Sequence, residues 1–513
     1  MTYNSNLPLV FEQIAQRFAD RVALSYPETD VQVRYDELYR MADSICRSLY
    51  ARGLRQGQVL ALFNDKSPAA FACMLACLKL GLIYTNLDPA SPWERLRKML
   101  STCQPALVVN SFSDLSFTVN QFDHAQVEVV TLDSLVSSRH EVSLPDCTAI
   151  SGSTPAYIMF TSGSTGSPKG AVMSHANLLW FIQWAQDRFQ VSAQDVFTNV
   201  NPSYFDNSVF DFYVSLFSGA SLVPFTVKQV HDTRSLVRLI AKAGCTVWFS
   251  VPSMLVYLLT TRALTKNDFP QIRKIIFGGE GFPKTKLRQL FELFADRADL
   301  ENVYGPTECT CICSAHQIRA ADFDDMNNLA TLGRLAQNFD YEILALDEEQ
   351  SDKGELFLRG PQVGLGYYND VPRTIKAFVQ NPAHARYSDI GYRTGDIVMR
   401  DALGRLHFQG RADFQIKHMG YRIELEEIEA AINTLPEVSE CAVIYKKLEN
   451  GLGQIIAFAA VSVVSQPEVL LQGVANIVPA YMVPRKLIFL DALPKNANGK
   501  IDRIKLNTTE IRN

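Results

Sequence analysis

Apolar positions recur along this chain with two different periods. Between residues 7 and 53, Phe11, Ile14 and Phe18 repeat at helical spacing, while Ala23-Leu24 and Val33-Arg34-Tyr35 flank a polar turn. That pattern predicts a helix, a short hairpin and a second helix. Further on, compact apolar runs alternate with amphipathic stretches. The predicted strands are Val59-Leu60-Ala61-Leu62-Phe63, Ala106-Leu107-Val108-Val109, Val127-Glu128-Val129-Val130, Thr246-Val247-Trp248-Phe249 and Lys274-Ile275-Ile276-Phe277. Strands alternating with helices predict an α/β fold built on mixed, mostly parallel sheets. After about residue 320 the strands shorten and glycine turns appear, as in Gly354-Glu355-Leu356-Phe357-Leu358, which predicts a small β-rich subdomain. From about residue 414 a final α+β block carries its own helix and strands, including Val443-Ile444-Tyr445 and Ile456-Ala457-Phe458. The longest apolar stretch, residues 69–78, stops at Lys79. It is too short to span a bilayer and predicts a buried helix.

Composition narrows the picture. At 513 residues the chain exceeds what one hydrophobic core serves, so more than one subdomain is expected. A formal net charge of −5 leaves no electrostatic footprint for nucleic acid or an anionic membrane. The opening MTYNSNLPLV lacks the basic start and apolar run of a signal peptide, which points to the cytoplasm and to ten reduced cysteines. Cys309, Cys311 and Cys313 alternate, with His316 nearby. This is not the C-x2-C spacing that wraps zinc. The expectation is three thiols on one face of an extended segment, packing in a core or lining a pocket.

Residues 161–170, TSGSTGSPKG, hold the most informative chemistry. They follow an apolar strand, Tyr157-Ile158-Met159-Phe160, and precede a predicted helix over 176–189. Glycines let backbone approach a ligand closely, successive N–H groups form an anion-binding concavity, and Lys169 adds a charge. The segment suits a polyphosphate. It does not fit the Walker A pattern, and no G-x-G-x-x-G dinucleotide fingerprint accompanies it.

This loop resembles the phosphate loop of adenylate-forming enzymes: nonribosomal peptide synthetase adenylation domains, acyl-CoA synthetases and luciferases. Further resemblances follow in order. They are Leu87-Asp88-Pro89 through Arg95, Tyr304-Gly305-Pro306-Thr307-Glu308, Tyr392-Arg393-Thr394-Gly395-Asp396, Gly410-Arg411-Ala412-Asp413 and PKNANGKIDR over 494–503. The resemblance implies an adenylation core over 1–412 and a mobile C-terminal domain over 413–513, with Asp413 as the hinge. It implies ATP and Mg²⁺ as cofactors, with Thr161, Ser162, Gly163, Ser164, Thr165, Gly166 and Lys169 on the phosphates. Gly279, Tyr304, Gly305, Thr307, Asp396 and Arg411 would serve the nucleotide, Tyr304 packing on adenine and Asp396 taking the ribose hydroxyls. Glu308 would hold the metal. Thr165, Glu308 and Lys500 are the implied catalytic residues. Lys500 would bridge the substrate carboxylate and the α-phosphate, where charge develops. One departure is Lys417-His418-Met419-Gly420 in place of the usual K-x-R-G.

The segment Asn201-Pro-Ser-Tyr-Phe-Asp-Asn-Ser-Val-Phe-Asp211 divides the family. In amino-acid-activating members a carboxylate at the position of Asp206 pairs with the substrate ammonium, because a buried cation needs a partner. Capping of a helix over 207–217 is the competing role for Asp206. Tyr204 and Phe205 are expected to gate the pocket. The resemblance puts Asn207, Phe210, Phe249, Ile276, Gly278, Val303, Cys311 and Ile312 around the substrate side chain. Such a pocket suits a branched or small aliphatic amino acid, isoleucine or valine type. Proline and alanine stay open, and Asn207 leaves room for a polar side chain. No carrier domain is read after Lys500 and no condensation domain before the core, so the expected second substrate is the phosphopantetheine thiol of a separate carrier protein. The rival readings are an acyl-CoA synthetase-type ligase for a non-amino acid and a non-catalytic partner in a biosynthetic complex.

Overall fold

The computed structural model describes residues 6–112, 127–138, 140–163, 166–326, 329–345, 352–447, 453–461, 463, 465–495 and 501–508. The chain divides into two units. The first comprises Met1–Asp88, Cys103–Met159 and Gly170–Ala412, and the second Pro89–Thr102, Phe160–Lys169 and Asp413–Asn513.

The first unit is built on two large sheets. One has nine strands in the spatial order Arg334–Leu335, Ser314–Gln317, Asp299–Tyr304, Lys274–Gly278, Val247–Ser250, Val196–Asn199, Ser221–Pro224, Val22–Tyr26 and Val31–Arg34. The pairs from Asp299–Tyr304 through to Val22–Tyr26 are parallel, while Ser314–Gln317, Arg334–Leu335 and Val31–Arg34 are joined antiparallel. The other has six strands, Val129–Thr131, Leu107–Asn110, Val59–Phe63, Ile83–Leu87, Pro155–Thr161 and Lys169–Ser174. Interior strands such as Val59–Phe63 are buried along their whole length, as parallel strands covered on both faces must be. The hairpin at Val22–Arg34 and the strands near 107, 247 and 274 stand within a residue of their expected places. The apolar run became the helix Pro68–Leu80, started by Ser67 accepting from Ala70 N and ended by left-handed Gly81. A five-stranded antiparallel sheet, including Lys353–Arg359 and Ile390–Arg400, forms the β-rich subdomain. Among the described residues, no helix is long and apolar enough to cross a membrane.

The expected strand–loop–helix order around residue 165 is corrected. A strand, Lys169–Ser174, intervenes, and the helix starts afterwards at His175. Five of the six residues of that strand are buried. Its short apolar core, Ala171-Val172-Met173, lacks the alternation that marks a strand in sequence. The phosphate-loop candidate therefore joins two strands and does not sit on the N-terminus of that helix.

His175 also ties down the chain start. Its Nδ1 accepts from Leu7 N at 3.2 Å, at the head of the helix Leu7–Arg17, and the imidazole is fully buried. Burial pushes its pKa down to about 4 from 6.5. The folded ring stays neutral where the unfolded chain takes up a proton, so stability falls as pH drops from 6.5 to 4 and is flat below. We expect roughly 3 kcal/mol to be lost across that window. Denaturant midpoints between pH 7 and 4 should show this slope in the native chain and a much shallower one in His175→Gln.

In the second unit, the hairpin Gln415–His418/Tyr421–Glu424 leads into the helix Leu425–Ile432. A three-stranded sheet of Val438–Lys447, Gly453–Val461 and Lys486–Phe489 follows. Ile423, Ile428, Ile432, Val443, Ala457 and Val474 form its core.

Candidate functional site

The segment carrying Asp206 is not one regular helix. Asn207–Val209 is α-helical and Phe210–Val214 is π-helical. Single π turns inside helices concentrate at functional sites. The Asp206 side chain makes no capping hydrogen bond. Instead its Oδ2 accepts from Thr307 Oγ1 at 2.6 Å, which joins two of the expected site residues. Tyr204 and Phe205 lie against each other edge-on, ring centroids 4.8 Å apart.

Some of the expected pocket residues are sheet neighbours: Phe249 pairs with Ile276, and Gly278 with Val303. Phe210, Phe249, Ile276, Val303, Cys311 and Ile312 belong to one buried apolar cluster. The Phe210 and Phe249 rings meet at 5.1 Å. Gly278 lies against Val303, and the Asn207 amide nitrogen is buried with no hydrogen-bond partner among the described residues, facing Gly279 at a left-handed φ of 92°.

Between the strands Asp299–Tyr304 and Ser314–Gln317 the chain reverses. Thr307–Cys309 makes a 3-10 turn, and Thr310 and Cys311 follow with φ of 57° and 71°. Left-handed backbone at a β-branched residue costs roughly 1–2 kcal/mol. Thr310 Oγ1 donating to Gln362 O at 2.7 Å and Cys313 N donating to Tyr304 O at 2.8 Å hold the turn. A side chain at Gly305 would overlap the Cys311 carbonyl, so glycine is required there. The extended three-cysteine segment is thereby corrected, because an antiparallel reversal cannot stay extended. The three cysteines are buried and form no disulfide among the described residues, and His316 pairs with Asp322 at 2.9 Å instead.

Glu308 is fully buried and accepts from Tyr367 Oη at 2.7 Å. Among the described residues no group of three or more His, Cys, Asp or Glu is placed to hold a metal. A magnesium ion at Glu308 would then draw its other oxygens from phosphate and water, the usual habit of that ion. Asp396 is gripped from both sides, by Tyr304 Oη on Oδ2 at 2.6 Å and Arg411 Nη1 on Oδ1 at 2.8 Å. Burial pushes the Tyr304 phenol up, so it stays a donor.

In the second unit, Ser162 Oγ donates to Arg422 O at 2.6 Å, and Gly163 N donates to Glu427 Oε2 at 3.1 Å. Lys169 Nζ lies 3.9 Å from Glu424, and Lys98 Nζ donates to Gly166 O at 2.6 Å. Thr161 Oγ1 is buried without a hydrogen-bond partner among the described residues. Asp413 accepts from Gln415 N at 3.2 Å. Ser164, Thr165 and Lys500 lie outside the described residues.

Sequence reasoning missed a buried polar network beside Phe249, one of the expected pocket residues. Asp211, in the π turn, accepts from Asn199 Nδ2 and Asn201 Nδ2, each at 3.0 Å. Asn201 Nδ2 also donates to Phe249 O at 2.9 Å. Lys66 Nζ donates to Asn199 O and Phe225 O at 2.8 and 2.9 Å. Burial pushes the Asp211 carboxyl up and the Lys66 amine down, and their mutual attraction opposes both shifts. The signal for Asp211 was its place five residues after Asp206. Nothing local marks Lys66, nor Tyr367 behind Glu308.

Residues 11–368 match the family model described as AMP-binding enzyme, and residues 427–500 match its C-terminal domain. An L-proline–[L-prolyl-carrier protein] ligase of Pseudomonas fluorescens is 35% identical over 94% of both chains. A D-alanine–D-alanyl carrier protein ligase of Bacillus licheniformis is 31% identical over 94% of this chain and 95% of that one. The solved o-succinylbenzoate CoA synthetase of Bacillus subtilis shares the fold, with a TM-score of 0.86 at 23% identity over 99% of each chain. The Vibrio cholerae adenylation domain AlmE, solved with glycyl-adenosine-5'-phosphate, gives 0.82 at 25% identity over 99% of this chain and 98% of that one. The chain thus belongs to the AMP-binding enzyme family and is one of its adenylate-forming ligases.

Proposed function

We propose that this enzyme activates a small or branched aliphatic amino acid and loads it onto a carrier protein in the cytoplasm. The substrate carboxylate attacks the α-phosphate of ATP, giving aminoacyl-AMP and pyrophosphate. The phosphopantetheine thiol of the carrier then attacks the acyl carbon, giving a thioester and releasing AMP. The single observation that carries this reading is Asp206: it does not cap its helix, and it stands beside Thr307 at the start of a segment that supplies an apolar cluster. A carboxylate in that position answers an ammonium group. The apolar cluster answers an aliphatic side chain, and it separates substrates differing by one methylene by only about 1–3 kcal/mol. The relatives named for proline and D-alanine, and the neighbour solved with a glycyl adenylate, support a small substrate. Asp396, held by Tyr304 and Arg411, is assigned to the ribose, and Glu308 to Mg²⁺, which when bound neutralises phosphate charge. Pyrophosphate exchange across isoleucine, valine, proline, alanine and glycine, beside fatty and aryl acids, tests the reading. Exchange with only the acids that lack an amino group would reject it.

A further inference from the structure

Three donor groups of the phosphate-loop segment are already engaged by the second unit itself. Ser162 Oγ donates to Arg422 O and accepts from Glu424 N at 3.1 Å. Gly163 N donates to the Glu427 carboxylate, and Lys169 faces the Glu424 carboxylate. Glu427 is itself held by Arg95, and both side chains are more than nine-tenths buried, at 4% and 8% exposure. The helix Leu425–Ile432 packs so tightly here that a Cβ on Gly166 would meet Ala430 Cβ at 2.9 Å. These are the groups that suit a polyphosphate: a backbone N–H, a hydroxyl and an ammonium. A carboxylate offers them the same chemistry as a phosphate oxygen, an anionic acceptor for charge-assisted hydrogen bonds.

We propose that Glu427, supported by Arg95 and seconded by Glu424, is an internal stand-in for nucleotide phosphate on the loop. It acts as a positioning residue for the thiol-transfer step. With pyrophosphate gone, its carboxylate takes the Gly163 N–H and keeps the loop in place. When ATP or pyrophosphate arrives, the anion and Glu427 compete for that donor, and the Arg95–Glu427 pair must part from the loop. The inference rests on the loop holding phosphates, as in the function proposed above. It adds a role for Arg95, which the sequence marked only as part of an early motif.

The test compares the full-length enzyme with Glu427→Gln. A neutral amide competes poorly for the loop, so the apparent KM values for ATP and pyrophosphate in exchange should fall by roughly tenfold, the loss of one charge-assisted hydrogen bond. The amino-acid KM should stay unchanged, and acylation of free pantetheine from preformed aminoacyl-AMP should slow. Glu427→Asp, which keeps the charge, should lie between. Unchanged or raised ATP and pyrophosphate KM values would overturn the proposal, since a merely structural pair has no reason to lower them. Should Glu427→Gln fail to fold, Glu424→Gln decides by the same readings with a smaller shift. If the native enzyme exchanges with no amino acid, the proposed function fails separately. Calorimetric binding of ATP and pyrophosphate then judges the carboxylate: tighter binding in the variant upholds it, and equal binding sinks it.

Discussion

Replacing Asp206 by asparagine is expected to lower kcat/KM for the preferred amino acid by about a hundred- to a thousandfold, because removing one partner of a buried pair leaves the ammonium uncompensated. Asparagine keeps an oxygen for the Thr307 hydroxyl, so the local hydrogen bond survives and the change isolates the charge. The KM for ATP should move little. Activity toward the same acid without its amino group should rise relative to the amino acid itself. Measuring the two substrates side by side is the check. If their ratio does not change, Asp206 is not the ammonium partner, and the amino-acid assignment loses its strongest support.

The second large effect concerns Lys500. Alanine there should depress adenylate formation by about a hundred- to a thousandfold, the usual scale for one electrostatic group aimed at developing charge. Thiol acylation from preformed aminoacyl-AMP should stay close to native. Lys500 itself lies outside the described residues, but its flanks are ordered against each other. Lys495 and Ile501 form an antiparallel bridge, and Asp502 N donates to Pro494 O at 2.8 Å. Parallel assays of exchange and of transfer decide the matter; equal losses in both would mean that one group serves both steps.

Much of the architecture was legible from local pattern alone. Fully apolar runs such as Val59–Phe63, the hairpin at 22–34 and the helix Pro68–Leu80 each carry their signal within a few residues. The candidate site residues could be named for a different reason: their motifs are short and ordered along the chain. What escaped depends on distant partners. Lys66 and Asp211 meet across 145 positions, and Arg95 and Glu427 across 332, so no window of sequence contains both members. The left-handed pair Thr310 and Cys311 escaped because neither residue favours that conformation, and only the surrounding bonds impose it. The strand Lys169–Ser174 was hidden by its small residues beside a strong helix start at Ser174.

The π turn at Phe210–Val214 has a practical outcome for anyone wishing to redirect this enzyme. In an α-helix each residue advances the azimuth by about 100°, and a π turn accommodates one extra residue without resetting what comes before it. Transplanting a selectivity cassette from a donor whose helix is regular here would swing every side chain after Phe210 by that angle. Asp211 would leave Asn199 and Asn201, and the aromatic wall would turn with it. Grafts should therefore carry the whole interval from Asn201 to Phe217 together with the strand residues that anchor it, rather than isolated point changes.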